Sequence, residues 1–263
     1  MGLGSWVSRL KPDRNVLLID GDLSVSTIRF KMCQRPRATL ADVLAGRKPL
    51  SEAIHVCELL TPGTKELLYP NLAILPASMP DHNGIFLPPL RGSIYGSFLS
   101  VARKFDEMIS ELRKDFFLVL VDTPASISLE HVVLTGIADG AIYVVEPAHE
   151  SLEVATHASR DLKRLMRVRP IGVVLNNLPS GASQREWVKK AERIAPLLGV
   201  VPEDDRVRET FMHDIPVAAE YPDSPASQAM RGIAVKLLGI TPKPAKLTRR
   251  FERAISELGR ASS

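Results

Sequence analysis

The sequence predicts an α/β fold in which a mostly parallel β-sheet is covered by helices on both faces. Two observations lead to this prediction. Strand-like segments alternate along the chain with segments of helical periodicity. Most strand-like segments are also continuous apolar runs, such as residues 16–19 and 116–121, which are typical of strands buried on both faces. With 263 residues, 45% of them apolar, the chain is long enough for one large domain.

The elements predicted for the first half begin with a short helix. Leu3, Trp6, Val7 and Leu10 recur at helical spacing, so we expect an amphipathic helix at residues 2–11, followed by a turn at 12–15. The further elements predicted up to residue 121 are a strand at 16–20, helices at 38–46 and 51–60, a strand at 72–75, a loop at 79–93, a helix at about 97–113 and a strand at 116–121. The loop at 79–93 is predicted because this segment holds three prolines and two glycines.

The second half continues the alternation of strands and helices. Its predicted elements are a strand at 141–145, a helix at 151–167, a strand at 171–176, a helix at 184–197, a short strand at 199–201 and a helix at 226–238. Pro242 and Pro244 then indicate a linker at residues 239–246. We therefore expect one domain over residues 1–240, followed by a linker and a final helix over 241–263.

Composition and charge exclude several classes of protein. Cys33 and Cys57, the two cysteines, lie far apart without CxxC spacing, which argues against a disulfide framework and against a zinc or iron–sulfur site. No apolar run approaches the roughly 18 residues of a membrane span. We expect no signal peptide, and a cytoplasmic location fits best. The net charge of +4 comes from residues 241–263, so the remaining body is formally neutral, unlike a general nucleic-acid binder.

The C-terminal segment has the pattern of a basic amphipathic helix. Leu247, Phe251, Ile255 and Leu258 form one apolar stripe, and most of the surrounding charges are basic. Such a helix at residues 246–260 can contact anionic lipid at the inner face of the membrane, or dock to a protein partner. The alternative is a terminal helix that packs on the body with a solvated basic face.

Three acidic side chains stand at the ends of two predicted strands. Asp20 and Asp22 follow the apolar run 16–19, and Asp122 follows the run 116–121. Ligands of open α/β sheets bind at the carboxyl ends of the strands. Carboxylates at such positions suggest a metal ion and a phosphate-bearing ligand. Alternatively, Asp20 and Asp22 could cap the next helix.

One component of a nucleotide site is missing from residues 1–263. Phosphate cradles of this kind usually have the pattern G-x-x-x-x-G-K-[ST], and no segment of the sequence matches it. Lys11 and Lys31 flank the first strand region, but neither lies in a glycine-rich loop.

Six short motifs in order resemble the MinD/ParA family of deviant-Walker P-loop ATPases, and MinD-like proteins in particular. Each motif is weak alone, but their order and spacing extend the resemblance over residues 3–240. The motifs are LIDGD at 18–22, LPAS at 75–78, VDTPAS at 121–126, VVEP at 144–147, VLN at 174–176 and VPED at 201–204. The resemblance implies a three-layer P-loop NTPase-type fold, here without its first strand and phosphate loop.

The resemblance also implies roles for individual residues. Asp22, with Asp20 beside it, matches the acid near the γ-phosphate and the attacking water, and Asp122 matches the aspartate that holds Mg²⁺ through water. Asn176 matches the asparagine that reads the adenine edge, although Asn176 and Asn177 could instead be turn residues before Pro179. The residues matching the loop beside the base are Pro202, Glu203 and Asp204.

Two departures from the family pattern affect the expected activity. Ser126 stands where the switch loop normally has glycine, and serine is less permissive. The sequence also resembles a chain that begins after the phosphate loop, so we expect weak ATP hydrolysis or none from residues 1–263. One hypothesis is a natural chain that begins upstream with a phosphate loop; the other is a true pseudo-ATPase.

The expected function is that of an ATP-dependent organiser of position in the cell. The resemblance implies ATP and Mg²⁺ as ligands, nucleotide-dependent homodimerisation and a protein partner, in cell division, chromosome partition or the placement of a surface machine. The alternative is a non-catalytic adaptor that keeps the fold and binds a protein. Nucleic acid as a partner is disfavoured by the neutral body but is not excluded.

Overall fold

The computed structural model describes residues 1–22, 36–77, 94–123, 134–213 and 215–240, together with Arg250, Arg253 and Ser256; residues 94–102 are described by their backbone alone. The chain forms two compact units, each with its own sheet. The first holds the described residues of Leu3–Ile137 and of Leu247–Ser263, and the second holds those of Ala138–Lys246.

The sheet of the first unit is built around a fully buried central strand. Its described strands are β1 (Val16–Asp20), β2 (His55–Val56), β3 (Leu72–Leu75) and β4 (Leu118–Asp122), in the order β2-β3-β1-β4. Strand β1 pairs in parallel with β3 on one side and with β4 on the other. All five residues of β1 are buried. An apolar run without alternation is therefore the correct composition for this strand.

Helices of the first unit cover the sheet with regularly spaced apolar residues. They are α1 (Gly2–Leu10), α2 (Leu40–Leu44), α3 (Leu50–Ala53) and α4 (Ile94–Asp115). Helix α4 buries Phe105, Met108 and Leu112, which lie three and four residues apart on one face. Thr39 precedes helix α2 as its N-cap, and the Thr39 and Asp42 side chains form a capping box.

The second unit contains a parallel sheet with β6 at its centre. Its described strands are β5 (Gly140–Val145), β6 (Arg169–Leu178) and β7 (Leu197–Pro202), in the order β5-β6-β7. Both pairings are parallel. Tyr143, Val173, Leu175 and Leu178 belong to one buried cluster, together with Ile194. The core of this unit therefore lies against the middle and the carboxyl end of β6.

The second unit contains five described helices. They are α5 (His149–Asp161), which continues as a π-helix over Leu162–Met166, α6 (Gln184–Ala191), α7 (Asp205–Met212), α8 (Val217–Glu220) and α9 (Pro225–Leu238). Of these, α7 and α9 have a side-chain cap. At α9, the Ser224 side chain accepts a hydrogen bond from Ser227 N–H, and Pro225 occupies the first helical position. A Cβ atom at Gly199 would lie 2.5 Å from Ile233 Cγ1, so the glycine in β7 makes room for α9.

The predicted α/β fold with mostly parallel pairing is confirmed, while the loss of a first strand and phosphate loop stays a prediction. Most predicted elements lie where the sequence placed them. The strands at 16–20 and 72–75 have the predicted bounds, and the helix predicted at 2–11 ends one residue earlier, at Leu10. The strand predicted at 116–121 is observed as β4, which starts two residues later and ends one residue later, so Asp122 lies inside it. A single domain over residues 1–240 stays a prediction.

The helix predicted at 51–60 is wrong beyond its first turn. Helix α3 ends at Ala53, and β2 pairs antiparallel with β3 through His55 and Val56. The chain then forms a hairpin-like excursion in which Leu68 N–H donates to Leu59 O at 2.8 Å. Pro62-Gly63 between two leucine pairs was the available turn signal. Pairing with a strand made by distant residues overrode the local helical spacing.

Other differences concern the second unit. The helix predicted at 184–197 ends at Ala191, because β7 already begins at Leu197. The helix predicted at 151–167 changes to a π-helix at Leu162. Strand β6 begins two residues before the predicted 171–176 and ends two residues after it, and helices α7 and α8 were not predicted. The predicted loop at 79–93, Ser126 and the linker from residue 241 onward lie outside the described residues.

Three described residues of the C-terminal segment are helical. They are Arg250, Arg253 and Ser256. The Arg250 guanidinium donates a hydrogen bond to Gly136 O at 3.2 Å, which ties this point of the segment to the first unit. Among the described residues, no helix combines the length and the apolar character needed to cross a bilayer.

Asn71 fixes the entry into β1. Its Nδ2 atom donates to the carbonyl oxygens of Ser8 at 3.1 Å, Lys11 at 2.9 Å and Arg14 at 2.8 Å. Its Oδ1 atom accepts a hydrogen bond from the Ser8 hydroxyl. The carbonyls at the end of α1 and in the following turn thus obtain a donor from a distant loop. This side chain sets how α1 leads into the central strand.

We expect Asn71→Ala to lower the free energy of unfolding by about 1–3 kcal/mol, because it removes the donor shared by these carbonyls. Urea unfolding at neutral pH measures the loss. Asn15→Ala is the matched control, since the Asn15 side chain makes one exposed hydrogen bond, to Asp115 O at 3.3 Å. Equal losses in the two variants would contradict a special role for Asn71.

Candidate functional site

The parallel pairing of β1 and β4 places two of the predicted acids side by side. Asp20 is the last residue of β1, Asp122 is the last residue of β4, and the two are direct partners in the strand register. Parallel strands end at the same edge of a sheet, which is where ligands of open α/β folds bind. The structure therefore brings together the two strand ends that the sequence predicted to carry acids.

Gly21 closes this edge through its backbone. Its N–H donates to Asp122 O at 2.8 Å, which continues the strand pairing one residue past the end of β1. A Cβ atom at this position would lie 2.5 Å from Asp122 O and 2.6 Å from Leu134 Cδ1. Since the nearer obstacle is backbone, only glycine fits without displacing β4. The glycine between the two aspartates is a structural requirement that sequence reasoning missed.

The three carboxylates differ in their surroundings. Asp20 is buried, with 2% of its surface exposed, and its Oδ1 atom accepts a hydrogen bond from Asp22 N–H at 3.2 Å. Asp22 is half-buried, and Asp122 is exposed. Asp20 therefore shapes the turn that presents Asp22, while Asp122 is open to a solvated ion. The alternative that these aspartates cap a following helix concerns residues 23–35, which lie outside the described ranges.

The chemistry of this edge fits Mg²⁺ held together with phosphates better than an all-protein metal cage. In the described part of the chain, no three Asp, Glu, His or Cys side chains come together as a metal-binding group. Mg²⁺ commonly keeps several waters and takes one or two carboxylates besides the phosphates of its substrate. Asp122, which is exposed, can supply one such carboxylate.

Residues just after β3 and β5 form hydrogen bonds with nearby helices. Leu40 N–H donates to Pro76 O at 2.8 Å and Ala41 N–H to Ala77 O at 3.0 Å, so the segment after β3 satisfies the first turn of α2. After β5, Glu146 N–H donates to Ser151 Oγ at 3.0 Å, inside α5. The described residues of the LPAS and VVEP motifs thus position helices next to their strands.

Asn176 and Asn177 lie inside β6, at an irregularity near its carboxyl end. The strand continues to Leu178, and its pairing with β7 shifts register between Leu175 and Leu178. Asn176 is half-buried and Asn177 is exposed. Beyond the shift, Glu203 N–H donates to Leu178 O at 2.9 Å. The structure therefore brings the predicted segment 202–204 to the end of the strand that carries Asn176.

Asp204 links the starts of two helices. Its Oδ1 atom accepts from Arg206 N–H at 3.0 Å in α7, and its Oδ2 atom accepts from Ala226 N–H at 3.0 Å in α9. Burial by itself would raise the pKa of the Asp204 carboxyl. The hydrogen bonds from these backbone N–H groups, with the Ser224 side chain, outweigh burial and hold the pKa below its ordinary value of 3.8.

The predicted site residues thus form two groups. Asp20, Asp22 and Asp122 belong to the first unit, and Asn176 with residues 202–204 belongs to the second. Their assignment to catalysis, metal binding and base recognition stays a prediction. Sequence reasoning gave no role to Gly21 and treated Asn177 only as a turn residue. A glycine enclosed by two aspartates and a polar pair inside an apolar strand were the available signals.

Comparisons with known proteins agree with the resemblance. The family model described as cellulose biosynthesis protein BcsQ matches residues 95–238, more than half of the chain. An uncharacterized ATP-binding protein of Methanocaldococcus jannaschii is 31% identical over 95% of this chain and 86% of its own length.

Solved structures of MinD share the fold. The cell division ATPase MinD of Pyrococcus furiosus superposes with a TM-score of 0.70, at 25% identity over 91% of each chain. The septum site-determining protein MinD of Pyrococcus horikoshii OT3, complexed with Mg-ADP, gives a TM-score of 0.69, at 26% identity over 90% of this chain and 87% of that one.

We expect Gly21→Ala to lower the free energy of unfolding by about 2–4 kcal/mol, because the new methyl group overlaps Asp122 O and breaks a backbone hydrogen bond. Chemical denaturation measures the change. Gly232→Ala is the control: this exposed position in α9 has no atom within 4 Å of an added Cβ. That variant should gain about 0.5–1 kcal/mol from helix propensity. A neutral Gly21→Ala would show that the edge is not closed as described.

Removal of the Asp204 carboxylate should give a pH-dependent loss of stability. The folded-state pKa is depressed, so the stabilisation is present above the ordinary value of 3.8 and disappears as the pH falls through the lower folded value. We expect Asp204→Ala to cost about 1–2 kcal/mol at pH 7. The difference from wild type should shrink as the pH is lowered below 4, as measured by urea unfolding.

The neighbouring aspartate provides the control for this experiment. Asp205 has 94% of its side chain exposed, and its carboxylate forms an ion pair with Arg208 at 3.3 Å. Asp205→Ala should therefore change the free energy of unfolding by less than about 0.5 kcal/mol. A loss in Asp204→Ala that stays constant from pH 7 to strongly acid pH would rule out the charged carboxylate as its source.

Proposed function

Because this chain belongs to the MinD/ParA family of P-loop ATPases, we propose that it binds ATP with Mg²⁺ and acts in spatial positioning, in cell division, chromosome partition or the placement of a surface machine. The observation that carries the proposal is the pairing of Asp20 with Asp122 at the carboxyl ends of two parallel strands. That edge is the ligand-binding edge of open α/β sheets.

The acids of the first unit would handle phosphate, metal ion and water. Bound Mg²⁺ would neutralise charge that develops on the phosphates during transfer. Asp122, which is exposed, would hold a water of the magnesium shell. Asp22 would orient the attacking water, and Asp20 would support Asp22 through the hydrogen bond to its N–H group at 3.2 Å. These roles follow from the family match and fit the surroundings of each carboxylate.

Asn176 and residues 202–204 would recognise the base. An asparagine side chain both donates and accepts hydrogen bonds, which suits the adenine edge, and Asn176 is the candidate. Pro202, Glu203 and Asp204 would lie beside the base, since Glu203 N–H is bound to the end of β6. Asp204 would act by holding this segment in place, because both of its oxygen atoms accept hydrogen bonds from helix starts.

The proposed cycle also involves assembly. The protein would dimerise with nucleotide between the subunits, engage a protein partner in the cytoplasm and be reset by hydrolysis. Residues 246–260 would add a peripheral contact with anionic lipid at the inner face of the membrane. The hydrogen bond from Arg250 to Gly136 O at 3.2 Å instead supports a tail that packs on the body at that point.

A second candidate function is a non-catalytic adaptor that binds a protein partner. Such an adaptor would keep the α/β fold and bind its partner without using nucleotide. The two functions differ in one simple property: an adaptor without nucleotide predicts no thermal stabilisation by ATP.

Mg-ATP binding provides the test. Ligand at about 100 times its dissociation constant should stabilise the folded protein by about 2.7 kcal/mol, seen as a rise in melting temperature. We expect Asp122→Ala to abolish the magnesium-dependent part of this rise. Asp13→Ala is the matched control, because Asp13 is an exposed aspartate that precedes the opposite end of β1.

Each outcome of this experiment has a distinct meaning. A shift that needs Mg²⁺ and Asp122 supports the nucleotide-binding function. Turnover of ATP that Asp122→Ala abolishes would further show an active enzyme. No shift in the wild-type protein at millimolar Mg-ATP would overturn the proposed function and favour the adaptor.

A further inference from the structure

The carboxyl end of β6 breaks the two-residue repeat of a strand. Side chains of a regular strand alternate between its faces, so Val173 and Leu175 share one face and residue 177 should follow. Leu178 occupies the same buried cluster as Val173 and Leu175 instead. The spacing from Leu175 to Leu178 is one residue longer than the repeat allows, which means that one residue has been added to the strand.

The pairing with β7 locates the added residue. Leu175 is the partner of Val200, and the next recorded pair is Leu178 with Pro202. Strand β6 advances by three residues over an interval in which β7 advances by two. This is the geometry of a β-bulge, in which two residues of one strand stand opposite one residue of its partner. Asn176 and Asn177 are the two residues between the flanking pairs.

Asn177 adopts the backbone conformation that makes this bulge possible. Its φ angle is +58°, in the left-handed region. Asparagine enters this region more readily than most residues, whereas a β-branched side chain does so only at high cost. The side chain of Asn177 is exposed and lies outside the buried cluster. Its backbone conformation, rather than its packing, is therefore what the fold uses.

The bulge has two consequences for the proposed base-recognition group. It leaves Asn176, which is half-buried, immediately before the left-handed residue and inside the shifted part of the strand pairing. It also returns Leu178 to the strand pairing, so that Leu178 O can accept from Glu203 N–H at 2.9 Å. A simple turn after Leu175 would not resume the pairing with Pro202. Bulges often occur next to functional sites, where they redirect a side chain.

We propose that Asn177 is a positioning residue for base recognition: its left-handed conformation directs Asn176 and brings residues 202–204 to the end of β6. This inference rests on the proposed nucleotide-binding function and adds to it a residue without contact to the base. The inference predicts that the backbone conformation at position 177, and not its side chain, matters for base recognition. Glycine at position 177 should serve as well as asparagine, and a β-branched residue should not.

The test measures the dissociation constants of Mg-ATP and Mg-GTP for the full chain by titration calorimetry. The preference for ATP is the ratio of the Mg-GTP constant to the Mg-ATP constant. Asn176→Ala should lose the preference. Asn177→Gly should keep the wild-type ratio, because glycine adopts positive φ freely. Asn177→Val should reduce the ratio by about tenfold, the size of one lost hydrogen-bonding contact. All titrations are made well below the melting temperature of each variant.

A control separates positioning from loss of stability. Ile233→Val removes one methyl group from a buried side chain of α9, and an isoleucine-to-valine change usually lowers stability modestly. It should leave the nucleotide ratio at the wild-type value. If Asn177→Val keeps the same ratio as Ile233→Val while Asn176→Ala loses the preference, the inference is overturned and the proposed function stands. Absence of nucleotide binding by the wild-type protein would overturn both.

Amide hydrogen exchange gives a second readout that needs no nucleotide. Glu203 N–H is protected by its hydrogen bond to Leu178 O at 2.9 Å. It should exchange faster in Asn177→Val and at the wild-type rate in Asn177→Gly. Unchanged protection of Glu203 in Asn177→Val would show that the left-handed residue does not hold segment 202–204, and would reject the proposal.

Discussion

The first unit depends on a close backbone approach at the tip of its central strand. Gly21 N–H donates to Asp122 O at 2.8 Å, and a Cβ atom on residue 21 would lie only 2.5 Å from the same oxygen. This hydrogen bond extends the pairing of β1 with β4 past the strand and fixes where the chain turns. The buried Asp20 then holds the N–H group of Asp22. The strand register places Asp20 and Asp122, and the turn that carries Asp22 depends on one backbone contact that tolerates only glycine.

The second unit reaches a similar result with polar side chains and an irregular strand. The added residue in β6 and the left-handed Asn177 place Leu178 opposite Pro202. Asp204 then ties the starts of α7 and α9 to the same corner. The proposed base-recognition group is therefore supported by hydrogen bonds at the strand ends, while Val173, Leu175 and Leu178 anchor it from the core.

Several features of the chain were predictable because local pattern and tertiary structure agree. Strands 16–20 and 72–75 are apolar runs buried on both faces, and both units have the expected α/β arrangement. Prediction failed at 51–60, where helical spacing was overridden by pairing of His55 and Val56 with β3. It also missed α7, whose start at Asp204 is set by a cap rather than by apolar periodicity. Antiparallel pairing and caps depend on distant residues or on single side chains, which periodicity does not report.

By itself, the sequence determined the fold class, the main parallel strands and the family, because apolar runs and ordered motifs are local properties of the chain. It also placed acids at the ends of two strands. Only the tertiary structure decided that Asp20 and Asp122 are register partners, that Gly21 must lack a side chain and that Asn177 is left-handed inside a bulge. Each of these depends on which strand lies beside which and on the number of residues between their paired positions, which no single segment encodes.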